Sequence, residues 1–183
     1  QSAIDAAAVG SQKLVRVPPG GYDVTTTIQC AQYVALDLTG VTLNLRADVD
    51  VIRCKPGAHI TGGWIDCSLI PSFTHAGLFF DGSDHFGNAF PTWIKNMQFM
   101  GHWKTAARMG TAIKLEAINT GNVFGVHLDN VGITYFDKGI HLNASNSTTG
   151  GWVNGNQGSN ISMNHCLDFI RLDNADGNTF GNV

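Results

Sequence analysis

Apolar and polar residues alternate in short runs along this chain, and the runs recur. Ile113-Lys114-Leu115-Glu116-Ala117, Ile140-His141-Leu142-Asn143-Ala144 and Ile170-Arg171-Leu172-Asp173-Asn174 align without gaps, 27 and 30 residues apart. Leu78-Phe79-Phe80-Asp81 and Ile52-Arg53-Cys54-Lys55 fit the same frame further upstream. Alternation with a period of two marks half-buried strands. A second column recurs between these units: Gly62-Gly63-Trp64-Ile65, Asn96-Met97-Gln98-Phe99, Asn130-Val131-Gly132-Ile133 and Asn160-Ile161-Ser162-Met163. A third, weaker column is Gly121-Asn122-Val123-Phe124-Gly125, Gly150-Gly151-Trp152-Val153-Asn154 and Gly177-Asn178-Thr179-Phe180-Gly181. Short strands repeating at such a period predict a parallel β-solenoid, in which Ile113, Ile140 and Ile170 stack inside and the Asn column forms a ladder at a bend. Asn suits that bend because it tolerates a left-handed backbone and its amide can bond the next coil. A β-sandwich, the other all-β arrangement, has no reason to repeat in register with Asn at one corner.

Composition sharpens this picture. Of 14 acidic residues 13 are Asp, and Glu116 is the only Glu; the chain also has 22 Gly, 15 Asn and 15 Thr. Turns favour Gly and Asn and strands favour Thr, so a helix bundle is excluded. Eleven Lys and Arg against 14 acids leave no basic footprint for nucleic acid. No run reaches the roughly 18 apolar residues of a helical span, so no membrane insertion is expected. Cys30, Cys54, Cys67 and Cys166 lack zinc-site spacing and read as buried thiols, and no metal or cofactor is expected. The opening Gln1 and the closing Thr179-Phe180-Gly181-Asn182-Val183, which reads as a strand cut in its middle, suggest a piece truncated at both ends.

Ala3-Ile4-Asp5-Ala6-Ala7-Ala8, followed by Val15-Arg16-Val17-Pro18-Pro19-Gly20-Gly21-Tyr22-Asp23-Val24, resembles the opening of right-handed β-helices of the pectate-lyase superfamily. Leu36-Asp37-Leu38-Thr39-Gly40-Val41-Thr42-Leu43 and Ile60-Thr61-Gly62-Gly63-Trp64-Ile65-Asp66 share the likeness, which is one seen in bacteriophage tailspikes and capsule depolymerases. The resemblance implies an all-β, single-stranded right-handed parallel β-helix with a short capping helix. Residues 1–12 would form that helix and lead-in and residues 13–183 the coils. It also implies a homotrimer, assembled with other virion tail proteins, that acts on a bacterial cell-surface polysaccharide. The sugar-cleaving motifs of polygalacturonases and the Arg-x-Pro-x-x-Arg signature of classical pectate lyases are absent, which disfavours plant-wall pectin.

On a solenoid a site is built from residues of neighbouring coils that share an outward row. Asp81, Glu116, Asn143 and Asp173 form one such row, adjacent members being about 4.8 Å apart at the backbone. Glycosidase carboxylates lie roughly 5–5.5 Å apart for retention and 6.5–9.5 Å for inversion. Glu116 is therefore the expected general acid, with Asp81 or Asp173 as nucleophile or activator of water. The next row, Lys114, His141 and Arg171, supplies cations for an acidic sugar. The longer connections at 67–77, 82–92 and 100–112 carry His75, Asp84, His85, Phe86, Phe90, His102, Trp103, Lys104 and Arg108, with Trp93 beside them. Of these Trp93, Trp103, His85 and His102 are expected to hold sugar rings and hydroxyls. The plainer explanation of the charged rows is a ladder that neutralises an exposed sheet. Asp81-Gly82-Ser83-Asp84-His85 reads as a turn rather than a metal loop. Three functions compete: a virion-borne depolymerase, hydrolase or lyase; a non-catalytic receptor-binding tail component; and a secreted bacterial polysaccharide lyase or epimerase.

Overall fold

A computed structural model describes residues 1–10, 13–86, 91–103, 109–145, 147 and 150–183. The described chain is all-β, with parallel sheets and one short helix, Ser2–Val9. Ile4 and Ala7 are the buried face of that helix, and Lys13 Nζ bonds the Ala8 carbonyl at 2.7 Å near its C-terminal end.

The strands divide between a larger, ten-stranded sheet and a smaller, six-stranded one. In the smaller sheet the strands lie in chain order: Ile28–Cys30, Ile52–Cys54, Ala76–Asp81, Thr111–Glu116, Lys138–Asn143 and Asp168–Asp173. Each is separated in sequence from the next by strands of the larger sheet, so the chain passes from one sheet to the other and back. Every described strand pair is parallel, which excludes an antiparallel sandwich.

The registers follow the aligned repeats. Leu78, Ile113, Ile140 and Ile170 pair in turn, as do Phe80, Leu115, Leu142 and Leu172. Parallel pairing places like on like, so one apolar side chain per layer builds a continuous apolar column between the sheets. Leu78, Ile113, Ile140, Phe80 and Leu142 are wholly buried there, and full burial of such a side chain contributes roughly 1.5–3 kcal/mol. Leu172, at the far end of its column, is 54% exposed. The four cysteines are buried among the same residues.

The long strands of the larger sheet show why Asn recurs. In Thr92–Met100 the buried residues are Thr92, Ile94, Met97 and Phe99; in Val126–Thr134 they are Val126, Leu128, Val131 and Ile133. Strict alternation breaks once in each strand, at Asn96 and Asn130, which are exposed with φ of 56° and 52°. One left-handed residue re-phases the strand, so that both halves present their apolar residues to the same core. Asn160 (φ 53°) and Asn182 (φ 53°) continue this corner column, and Gly40 and Gly62 (φ 77° and 71°) open it. At Gly62 a Cβ would lie 2.8 Å from Thr39 Oγ1 and 2.9 Å from Thr39 Cα, so that layer requires glycine on space as well as on φ. Asn130 Nδ2 donates to Asn96 Oδ1 at 2.8 Å, and Asn160 Nδ2 to Asp129 Oδ1 at 3.0 Å.

The third repeat column is corrected. Val123 bridges Val153, one residue off the expected register, because these are the two residues of that stretch that reach the core. Thr179–Gly181 pairs with Gln157–Asn164 of the larger sheet instead. The connection after Asp173 meets the intermediate position before that strand begins: Gly155 N–H donates to the Gly177 carbonyl at 3.0 Å and Asn178 Nδ2 to the Val153 carbonyl at 3.0 Å.

Asn130→Ala forces an alanine into the left-handed region, at about 1–2 kcal/mol, and deletes the bond to Asn96. Denaturant unfolding is expected to show a loss of about 1–2 kcal/mol for this variant. Asn130→Gly, which keeps the backbone freedom, is expected to lose less.

Candidate functional site

The outer face of the smaller sheet carries two adjacent rows of polar residues, because residues i and i+2 of a strand face the same side. The register aligns Arg53, Phe79, Lys114, His141 and Arg171 in one row. Asp81, Glu116, Asn143 and Asp173 align in the other. Asp81 is thus next to Glu116, and Asn143 stands between Glu116 and Asp173.

The rows are cross-linked. Arg53 Nη2 lies 2.6 Å from Asp81 Oδ2, Lys114 Nζ 2.8 Å from Glu116 Oε2, and Arg171 Nε 3.0 Å from Asp173 Oδ1. Asn143 Nδ2 donates to Glu116 Oε1 at 2.9 Å, and His141 Nε2 lies 2.8 Å from Asp173 Oδ2. Asp81, Glu116, His141 and Asn143 are all buried. The repulsion expected between neighbouring carboxylates is met by a cation on each. Glu116 is held by an ammonium on one oxygen and by an amide N–H on the other, both donors.

A groove of about 380 Å3 opens over these rows, walled by Phe79, Lys114, Glu116 and His141 from the sheet and by Asp50, Thr74, His75, Thr111 and Lys138 from strand starts and connections. Phe79 is its apolar wall, with Lys114 Nζ 5.6 Å and Arg53 Cζ 5.9 Å from the ring centroid. Lys138 Nζ pairs with Asp137, and His75 Nδ1 lies 3.0 Å from Asp48 Oδ1. Lys138, Thr111 and Asp50 are groove residues missed by the sequence reading, whereas His75 was among those named on the long connections. Extending the repeat frame two residues upstream of each Ile would have found Thr111 and Lys138, which pair in register.

Glu116, Lys114 and His141 meet in this groove, Asp173 and Arg171 lie against it through His141, and Asp81 adjoins Glu116 in the row. The aromatic residues expected beside them do not join. Trp93 lies on the larger sheet, stacked on His127 at 4.3 Å with Lys95 Nζ 4.5 Å from its ring centroid. Trp93 thus stands on the other sheet from Glu116 and lines separate grooves there with His127 and with Lys95, so a sugar stacked on it does not lie over the Glu116 row. Phe86 folds back into the core against Phe80, with ring centroids 5.8 Å apart. Exposed His85, in left-handed backbone, ends the 3-10 turn Gly82–Asp84, the turn read from that stretch. His102 Nδ1 bonds the Ser68 carbonyl and Trp103 is 59% exposed on the same connection. None of His85, His102 and Trp103 lines the groove. Phe90, Lys104 and Arg108 lie outside the described residues.

Burial pushes the His141 imidazole below its ordinary pKa; the Asp173 hydrogen bond and charge oppose this, and Lys114 and Lys138 reinforce it. Asp173 is held below the ordinary carboxylate range by hydrogen bonds from His141 and Arg171. His59 and His127, on the larger sheet, are also lowered, chiefly by burial.

Comparison with known proteins gives no match, whether to a family model, to a curated protein or to a solved structure.

These shifts set the pH dependence of stability. A depressed pKa means the unfolded chain binds the proton more readily, so stability is full above the unfolded value and is lost as pH falls towards the folded one. For His59, His127 and His141 the loss starts near the reference value of 6.5, and for Asp173 near 3.8. The midpoint of thermal unfolding, measured from pH 8 to pH 3, is expected to be level above pH 7, to decline below about 6.5 and to fall again below about 4. A level profile from pH 7 to pH 5 contradicts the histidine assignment.

Proposed function

We propose that this chain is a right-handed parallel β-helix of the phage-tailspike kind, one that binds a bacterial surface polysaccharide and cleaves it in the groove over Glu116. The reading rests on one observation above others: the buried Glu116 lies in a groove of about 380 Å3 walled by an aromatic ring, two lysines and two histidines. A sugar ring needs an apolar wall for its C–H face and charged or polar groups for its hydroxyls and acid substituents. The in-register passage of the chain between two parallel sheets supports the β-helix, as does the likeness of residues 1–68 to pectate-lyase-superfamily openings. In this reading Glu116 supplies negative charge beside the oxocarbenium-like transition state, and Lys114 and Asn143 hold it in place. The protein works as a homotrimer in the virion tail, with other tail proteins as partners.

Binding without cleavage is the second reading, and the pairing of Glu116 with Lys114 and of Asp81 with Arg53 favours it, since paired charges also make a neutral, soluble face. Glu116→Gln separates the two. It is expected to lower reducing-end release from host capsule or lipopolysaccharide about 10²-fold or more, with glycan binding within a few-fold of wild type. Cleavage at near wild-type rate removes Glu116 from the mechanism. No cleavage by the wild-type protein leaves the binding reading.

A further inference from the structure

His141 has an arrangement that a charge ladder does not need. Its Nε2 lies 2.8 Å from Asp173 Oδ2. Asp173 is held from its other side by Arg171, whose Nε lies 3.0 Å from Oδ1 and 3.3 Å from Oδ2; Arg171 Nη1 is in turn 3.3 Å from Asp168 Oδ2. A carboxylate so clamped only accepts hydrogen bonds, so the imidazole must donate from Nε2. In a neutral imidazole the proton then sits on Nε2, and Nδ1 keeps its lone pair. His141 itself is buried and lines the groove that holds Glu116. Its charged surroundings are Lys114 and Glu116 on the strand before it, Lys138 on its own strand, and Arg171, Asp168 and Asp173 on the strand after it. His75 and Asp50 face it from the connections walling the groove. The two lysines and burial disfavour a second proton on the ring, which suits a base at neutral pH.

We infer that His141 is the proton acceptor of this groove, with Asp173 as the residue that fixes its tautomer and Arg171 as the clamp on Asp173. The inference rests on the polysaccharide-cleaving reading. In the step it serves, His141 Nδ1 takes a proton from water while the water oxygen bonds to the anomeric carbon. The glycosidic C–O bond breaks, and its electron pair goes to the leaving sugar oxygen, which takes a proton from solvent. His141 then returns its proton to solvent, so the net change is the addition of one water.

The test has a structural and a catalytic arm. Imidazole 15N and 1H NMR of the full chain is expected to show the Nε2–H tautomer of His141 at pH 7.5 and a titration midpoint below 6.5. Asp173→Asn is expected to mix the tautomers and to slow cleavage about 10-fold or more. His141→Asn is expected to slow it about 10²-fold, and the acid limb of the wild-type rate profile should track the NMR midpoint. A dominant Nδ1–H tautomer overturns the dyad whatever the activity. Cleavage by folded His141→Asn near the wild-type rate, with Glu116→Gln inactive, overturns the proton-acceptor role and leaves the polysaccharide reading standing. Absence of cleavage by the wild-type protein overturns both the enzymatic reading and this role, and the NMR result then stands as structure alone.

Discussion

In-register parallel stacking is the constraint on which everything else here depends. When each strand lies on its counterpart from the previous layer, every side chain meets the same position one layer away. A column of Ile or Leu is self-reinforcing in that geometry, and a column of like charges is self-defeating. The inner columns are therefore uniformly apolar, from Leu78 through Ile113 and Ile140. The outer ones mix Arg, Phe, Lys and His beside Asp, Glu and Asn, so that each acid meets a donor.

The same constraint decides how much was legible in the residues. Where the strand repeats align, the alignment is the register, and the pairing of Glu116 with Asp81 and Asn143 could be read directly even though long connections separate Asp81 from Glu116. The left-handed corner was legible at Asn96, Asn130 and Asn160, because few residues other than Gly adopt that backbone readily. The third column misled because Gly-rich stretches look alike whether they pair or merely turn. Only burial of Val123 and Val153 distinguishes them. The site divided along the same line. Lys114, Glu116 and His141 lie inside the aligned repeat and were found, whereas Lys138 and Asp50 lie just upstream of the residues that were aligned. Trp93 was near the site in sequence and far from it in structure, since the chain changes sheet between it and Thr111.

Charge pairing on the outer face bears on chemistry as well as on solubility. A carboxylate between an ammonium and an amide is oriented before any ligand arrives, and a histidine bonded to a clamped aspartate has its proton placed in advance. Such preorganisation is what lets polar groups act on a reacting centre without first rearranging. The face that keeps the sheet neutral is thereby one already set in a fixed electrostatic pattern.

Cys30 and Cys54 occupy the same position in successive layers, both without solvent exposure, and burial pushes the Cys30 thiol up to about 12. Cys67, equally enclosed, is raised in the same way. A thiol is modified only as thiolate and only where reagent reaches it, so these sulfurs stay silent while the layers remain closed. Their alkylation rate in the native protein is thus a clock for the parting of adjacent layers, kept by the molecule's own atoms with no label introduced.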